Sequence, residues 1–291
     1  QNASPWALGV YARALLRAPD GRLPTIPGGT LRIESLGSAT VEGTEYRAFA
    51  ISGIDLAPDM ILLDAQGALF AHLYSGGATV REGHESAAPA LSALATRLTA
   101  QRYAGMQQQF AHRIDAPVRV RNVRVFDSAT GILGDPVSVL FYRGVITGIQ
   151  PLDAPATPGE AVVEGAGGTL LPGLHDMHAH VDLQSALLYI AAGVTSVRDM
   201  GNDNDFLRTL MAEIDDGTVA GPRITANGFL EGRSPFSARN GIVADSEDAA
   251  IDAVRWYAAR GYWQVKIYNS MNPEWVPAIA RTAHALGMGV T

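Results

Sequence analysis

Cysteine is absent from the 291-residue chain. This removes disulfides, thiolate nucleophiles and Cys-type zinc sites together, and it leaves the compartment open between a reducing cytosol and an exported location. Basic clusters are absent too. The net charge of -7 is spread without a run of Lys and Arg, which argues against nucleic acid as a partner because phosphate recognition needs concentrated positive charge. No apolar run approaches the roughly 20 residues that span a bilayer, so no membrane partner is expected. The chain starts at Gln1 without Met or a signal-type apolar segment, which reads as a trimmed or processed start. Asn2-Ala3-Ser4 fits a glycosylation sequon, a pattern short enough to arise by chance. The G-x-S-x-G and H-E-x-x-H patterns and the P-loop are missing, and the glycines of "EGAGGT" precede a strand rather than open a helix. Serine hydrolysis and nucleotide binding are thereby disfavoured.

With 47% hydrophobic and 18% charged residues, the chain can bury a large core and should hold more than one domain. Three regions separate along it. Between Thr30 and about Ser75, stretches such as "LRIESLG", "EYRAFAISGI", "MILLD" and "ALFAHLY" are joined by the turn-like "VEGTE" and "DAQG", which predicts antiparallel hairpins. From Glu85 to about Arg113 a proline-poor segment spaces Leu91, Leu94, Leu98 and Tyr103 as one helical face. Residues 1–115 are therefore expected to be β-rich and to end in a long helix. A small β domain of composite-sandwich type is expected over 116–168, built from "VRVRNVRVFD", "PVSVLFYRGVITGI" and "AVVEG".

After Gly168 the rhythm alternates strand and helix to the end, the signature of βαβ units on a parallel sheet. Strand starts are expected at Thr169, Val194, Pro222, Trp263 and Met288, about 25, 28, 41 and 25 residues apart. Ser246 is placed to cap one helix, Asn272-Pro273 to open the next, and Gly261 and Gly287 to close them. Four complete units and the start of a fifth make the fold class α/β. The expected architecture is a (β/α)8 barrel of which 169–291 supplies the first half, since a closed barrel takes about 250 residues. An open half-barrel would leave sheet edges and helix faces bare. The chain thus reads as a fragment or as one of two pieces, with an open doubly wound sheet as the alternative.

In a barrel, functional groups sit at the C-terminal ends of the strands, and side chains two apart in a strand point the same way. In "LLPGLHDMHAHVDL", residues 170 to 183, His178 and His180 would share one face at the mouth of the first barrel strand. Neutral imidazole is a common zinc ligand. A bare H-x-H is nevertheless more often two polar residues at a strand-loop junction. Lys266, near the end of the fourth barrel strand with Gln264 and Tyr268 on its face, is either an active-site amine or a solvated strand-end lysine. Tyr268 can reach a substrate carbonyl or pack structurally. Asp176, in the same parity as the histidines, can orient a ligand or serve a turn. "GFLEGRSPFSARNGIV" extends the third repeat as a substrate-covering loop would, where Arg233 or Arg239 could meet an anion. Asp199 is expected to be structural, paired with a neighbouring basic group. His72, His84, His112, His175 and His284 lack a comparable setting.

Taken together, "LPGLHDMHAH", "NVRVFDSATG", "VITGI", "AAGVTSVRDMG" and "VKIYNSMNPEWVPAIARTAHALGMGV" resemble the amidohydrolase superfamily, in its imidazolonepropionase-like and prolidase-like branch, over about residues 117 to 291. The resemblance implies that His178 and His180 are metal ligands and that Lys266, in its K-I-Y setting, is carbamylated by CO2 and bridges two divalent metal ions, with zinc the first expectation. It implies metal-assisted hydrolysis of an amide, peptide or ring C-N bond through a bridging hydroxide, with Tyr268 the catalytic candidate on this chain. A dipeptide-like or acyl-amino-acid substrate is expected. The family's further histidines on strands 5 and 6, and its aspartate on strand 8, lie on strands this chain does not complete. A polypeptide partner supplying strands 5 to 8 is therefore expected, and homo-oligomerisation is left open. The competing class is a non-catalytic interaction module in which the half-barrel is a degenerate scaffold.

Overall fold

The structure is a computed structural model that describes residues 4–74, 77–238 and 240–291. It divides into two compact units, Gln1–Gln108 and Gln109–Thr291. Among the described residues, no helix is long and apolar enough to cross a membrane.

The first unit opens with α1 (Pro5–Leu15), then β1 (Arg22–Pro24), β2 (Thr30–Val41), β3 (Thr44–Ser52), β4 (Asp59–Leu63), β5 (Leu69–Tyr74) and β6 (Gly77–Val80), and continues into α2 (Ala88–Phe110). The six strands pair in sequence order, each antiparallel to the next. The two helices account for the core. Leu8, Ala12 and Leu15 of α1 pack with Leu31, Phe49, Ile51, Ile61 and Leu63. Leu91, Leu94, Ala95 and Leu98 of α2 pack with Met60, Leu62, Phe70, Ala71 and Leu73. Alternate residues of β4 thus enter different clusters, which is why "MILL" is apolar throughout rather than alternating. Helix α1 goes beyond the β-rich expectation for this region; Pro5 stands at its start and the Ser4 side chain accepts from the Ala7 N–H, a signature of a helix N-terminus.

The second unit begins with a four-stranded sheet of β7 (Val118–Asp127), β8 (Ile132–Tyr142), β9 (Val145–Pro151) and β10 (Ala161–Leu170), in the order β10-β7-β8-β9. Arg119 is 1% exposed in it, neutralised by Glu160 at 2.7 Å and hydrogen-bonded to Gln150 at 2.9 Å. A buried guanidinium is tolerated only with such partners.

Then come β11 (Leu174–Ala179), α3 (Leu183–Ala191), β12 (Val194–Asp199), α4 (Asn204–Asp215), β13 (Arg223–Gly232), β14 (Ile242–Ala244), α5 (Glu247–Ala258), β15 (Gln264–Ile267), α6 (Val276–Ala285) and β16 (Gly289–Val290). The parallel order is β11-β12-β13-β15-β16, with β14 beside β13. The fold is α/β, as expected.

Three expected boundaries move. Thr169 and Leu170 pair with Arg124 and Val125 in the small sheet, so the first strand of the parallel sheet starts at Leu174; the apolar run conceals a change of sheet. "GFLEG" is not loop but the end of β13, and "IVA" forms β14 beside it, which shortens the presumed insertion to 233–241. The segment opened by Asn272 begins as a 3-10 turn, Pro273–Trp275. Pro277 sits in the first turn of α6, where its missing N–H costs nothing. Ser246 caps α5 as expected, accepting from the Ala249 N–H at 3.2 Å.

Candidate active site

The strands of this sheet run parallel, so the chain leaves β11, β12, β13 and β15 on the same side of the sheet. β11 is irregular on the way: its register to β12 shifts between Asp176 and Ala179. A bulge of this kind re-aims the side chains beyond it. Asp176 accepts the His178 N–H at 3.0 Å and the Tyr189 hydroxyl of α3 at 3.2 Å, so it fixes the backbone that carries His178.

His178 and His180 remain side by side, with ring centroids 5.5 Å apart. The His180 Nδ1 lies 2.6 Å from the Gly201 carbonyl. A carbonyl only accepts, so Nδ1 carries the proton and Nε2 keeps its lone pair free for a ligand. Asp199 braces the same corner. It is 0% exposed and accepts from the N–H groups of Val181 at 2.8 Å and Gly201 at 3.0 Å and from the Asn202 amide at 3.0 Å. Burial pushes its carboxyl above the ordinary range, opposed by those donors. His180 is the basic group beside it, and three N–H donors share that work, through which Asp199 holds both His180 and the residue that binds it.

Lys266 comes from β15, 88 positions along the chain from His178, yet its Nζ lies 3.5 Å from the His178 Nε2. It stands over the rings of Tyr268, 5.1 Å, and Phe229, 5.5 Å. Burial lowers its pKa, opposed by the Asp199 carboxylate and reinforced by Arg198, so the neutral amine is favoured more than on a solvated lysine. Tyr268 is half-buried, 4.6 Å from the Phe229 ring, with its N–H on the Leu230 carbonyl at 2.9 Å. Beneath Lys266, Asn227 and Gln264 are register partners, and the Asn227 Oδ1 and Gln264 Nε2 are buried without a hydrogen-bond partner.

The other candidates lie elsewhere. Arg233 pairs with Asp245 at 3.3 Å, and Arg239, like Asn2 and Ala3, lies outside the described residues. His72 pairs with Asp59 at 3.0 Å and His84 with Glu42 at 2.7 Å. His175 lines a concavity of about 270 Å³ with Met177, Arg198, Thr225 and Trp263. Sequence reasoning missed Glu231, which is 1% exposed and accepts from the Gly232 and Ser270 N–H groups at 2.9 and 2.8 Å. An acid within the apolar end of a strand was its only signal.

The donor set suits a divalent ion in part: two imidazoles, one with its tautomer fixed, and an amine of depressed basicity. Among the described residues no group of three or more His, Cys, Asp or Glu could hold a metal ion.

This is an α/β chain whose parallel sheet carries a His-His-Lys cluster at its C-terminal rim. No family model matches it, and no curated protein does. Solved structures do. One described as a "putative prolidase" from Bifidobacterium longum is 24% identical with a TM-score of 0.53, over 61% of this chain and 49% of its own. A bottromycin amidohydrolase is 20% identical with a TM-score of 0.52, over 65% of this chain and 41% of its own. The chain thus spans about half the length of these proteins or less, and in that span it shares their fold.

Proposed function

We propose that the chain carries one half of the active site of a metal-dependent amidohydrolase that cleaves an amide or peptide C-N bond of a dipeptide-like or acyl-amino-acid substrate. The observation that carries this is the meeting of His178 and Lys266 at 3.5 Å, beside His180, from strands 88 residues apart. The fold shared with a bottromycin amidohydrolase and a "putative prolidase" supports it.

In this reading His178 and His180 hold a divalent ion through imidazole nitrogens, and Lys266 joins them after carbamylation. The neutral Nζ adds its lone pair to the carbon of CO2 and releases one proton, which turns an amine into a carboxylate that two ions can share. Two divalent ions such as zinc would, when bound there, supply a hydroxide of lowered pKa and polarisation of the scissile carbonyl. Asp199 and the Gly201 carbonyl keep His180 in the ligating tautomer, and Asp176 sets the backbone of His178. The Tyr268 hydroxyl donates to the substrate carbonyl or carboxylate.

The proposed domains are 1–115, 116–168 and 169–291. The last is the first half of a (β/α)8 barrel, because its strands add in one direction without the reversal of a doubly wound sheet. Further polypeptide supplies strands 5 to 8, the remaining ligands and the general base. The test is hydrolysis of a dipeptide and N-acyl-amino-acid panel by the complete protein. Activity should vanish with a chelator, return with zinc, and fall at least about a thousandfold in His178→Ala. Hydrolysis that survives both treatments would contradict the reading.

A further inference from the structure

Glu231, at the end of β13, is a buried acid to which the proposed hydrolysis gives no part. One of its oxygens accepts the Gly232 and Ser270 N–H groups at 2.9 and 2.8 Å, and the other accepts the Ala238 N–H at 3.4 Å. A carboxylate taken out of water needs such donors. With both oxygens engaged and closed off from solvent, this carboxylate does not bind an ion or a substrate; it acts on the chain that it holds.

The chain that it holds includes Tyr268. The Ser270 donor belongs to the turn Tyr268–Met271, which follows Lys266 and is closed by the Met271 N–H on the Tyr268 carbonyl at 3.0 Å. Two more ties reach this turn from the same end of β13: the Leu230 carbonyl accepts the Tyr268 N–H at 2.9 Å, and the Ser234 hydroxyl donates to the Ser270 Oγ at 2.9 Å. The two backbones touch. A Cβ at Gly232 would run into the Ser270 carbonyl, so the turn can sit against β13 only as closely as Glu231 and its neighbour allow. The Tyr268 ring is thereby set 5.1 Å from the Lys266 Nζ and 4.6 Å from the ring of Phe229, the register partner of Lys266. Asp199 offers the same device on β12, a buried acid that gathers the N–H groups of Val181 and Gly201 on either side of the His180 contact.

We infer that Glu231 is a positioning residue: by holding the Ser270 N–H it fixes the turn that sets Tyr268 beside Lys266. The inference rests on the hydrolase reading above, in which the Tyr268 hydroxyl donates to the substrate, and deepens it by naming what keeps that hydroxyl in place. Reach matters here more than charge. An acid one methylene shorter leaves the Ser270 donor unpaired and the turn free to shift, and a displacement on the order of 1 Å in a positioned group can cost about a hundredfold in rate.

The experiment measures kcat/KM of the complete, zinc-loaded protein, corrected for metal content and folded fraction, on the fastest substrate of the dipeptide and N-acyl-amino-acid panel. Glu231→Gln keeps an acceptor at the same reach without the charge, whereas Glu231→Asp keeps the charge and loses the reach. Glu231→Asp should lower kcat/KM about thirtyfold and Glu231→Gln no more than about threefold. In the Tyr268→Phe background, which lacks the hydroxyl, Glu231→Asp should cost no more than about a further threefold. Equal factors in the two backgrounds are the mark of a merely structural acid and overturn the inference while leaving the hydrolase reading standing. A Glu231→Gln variant as impaired as Glu231→Asp, or a Tyr268→Phe variant of full activity, overturns it too. Should Glu231→Asp not fold, Glu231→Gln decides alone: a loss beyond about threefold overturns the inference, and a retained rate supports it. If the unaltered protein hydrolyses nothing in the panel, the hydrolase reading falls and the positioning role with it.

Discussion

Lys266 makes the sharpest residue-scale claim. Its amine, of lowered basicity and beside an imidazole, is the one the proposed reading has add CO2. With 13C-bicarbonate and zinc, the complete protein is expected to show a carbamate carbon resonance that Lys266→Ala abolishes; its absence in fully metallated protein would refute carbamylation. Asp199 makes a structural claim. Removing its side chain strands the donors of Val181, Gly201 and Asn202 in a buried corner, and each stranded donor costs about 1–3 kcal/mol less whatever water recovers. Asp199→Ala should therefore lower the unfolding free energy by about 3 kcal/mol in denaturant titration. Legibility at this scale was uneven. His178, His180 and Lys266 were singled out by the resemblance, because an H-x-H pair or a strand-end lysine by itself reads as ordinary polar residues at a strand end. Asp176 takes the turn role weighed for it, accepting the His178 N–H two residues on. Asp199 was read as structural beside a basic group, and the backbone and amide N–H donors that join His180 there leave no mark in a sequence.

Elements were legible where caps and glycines mark them. Ser246 opens α5 as read, and Ser246→Ala should cost about 1 kcal/mol of stability by chemical denaturation. The backbone of β13 approaches its covering helix closely at Gly228: a Cβ there would stand 2.4 Å from the Tyr257 ring. The Tyr257 hydroxyl donates to the Phe229 carbonyl at 2.6 Å, and burial raises its pKa to about 12, so the ring has little room to withdraw. Gly228→Ala is expected to destabilise by about 3 kcal/mol, read from the same denaturation curves. The boundary between β10 and β11 escaped because an apolar run continues across two sheets. The end of β13 escaped because Gly and Glu in "GFLEG" are poor strand residues by propensity, and register with β14 and β15 overrides them.

At the scale of the molecule, the first unit is closed by its own two helices, and its hydrophobic clusters use both faces of one sheet. Leu91, 0% exposed, should cost about 3 kcal/mol on change to alanine, measured as a shift of that unit's unfolding midpoint. The second unit is different in kind: its parallel strands were foreseen from the alternation of strand and helix, whereas no described group of three or more His, Cys, Asp or Glu could hold a metal ion. The central claim is that His178, His180 and Lys266 form part of a binuclear metal centre. Metal analysis of the complete protein by inductively coupled plasma mass spectrometry tests it most directly. The account predicts about two equivalents of a divalent metal per chain in the unaltered protein and a near-total loss in the His178→Ala, His180→Ala double variant at unchanged folding. Equal metal content in both proteins, or none in either after growth and purification with added zinc, would contradict it.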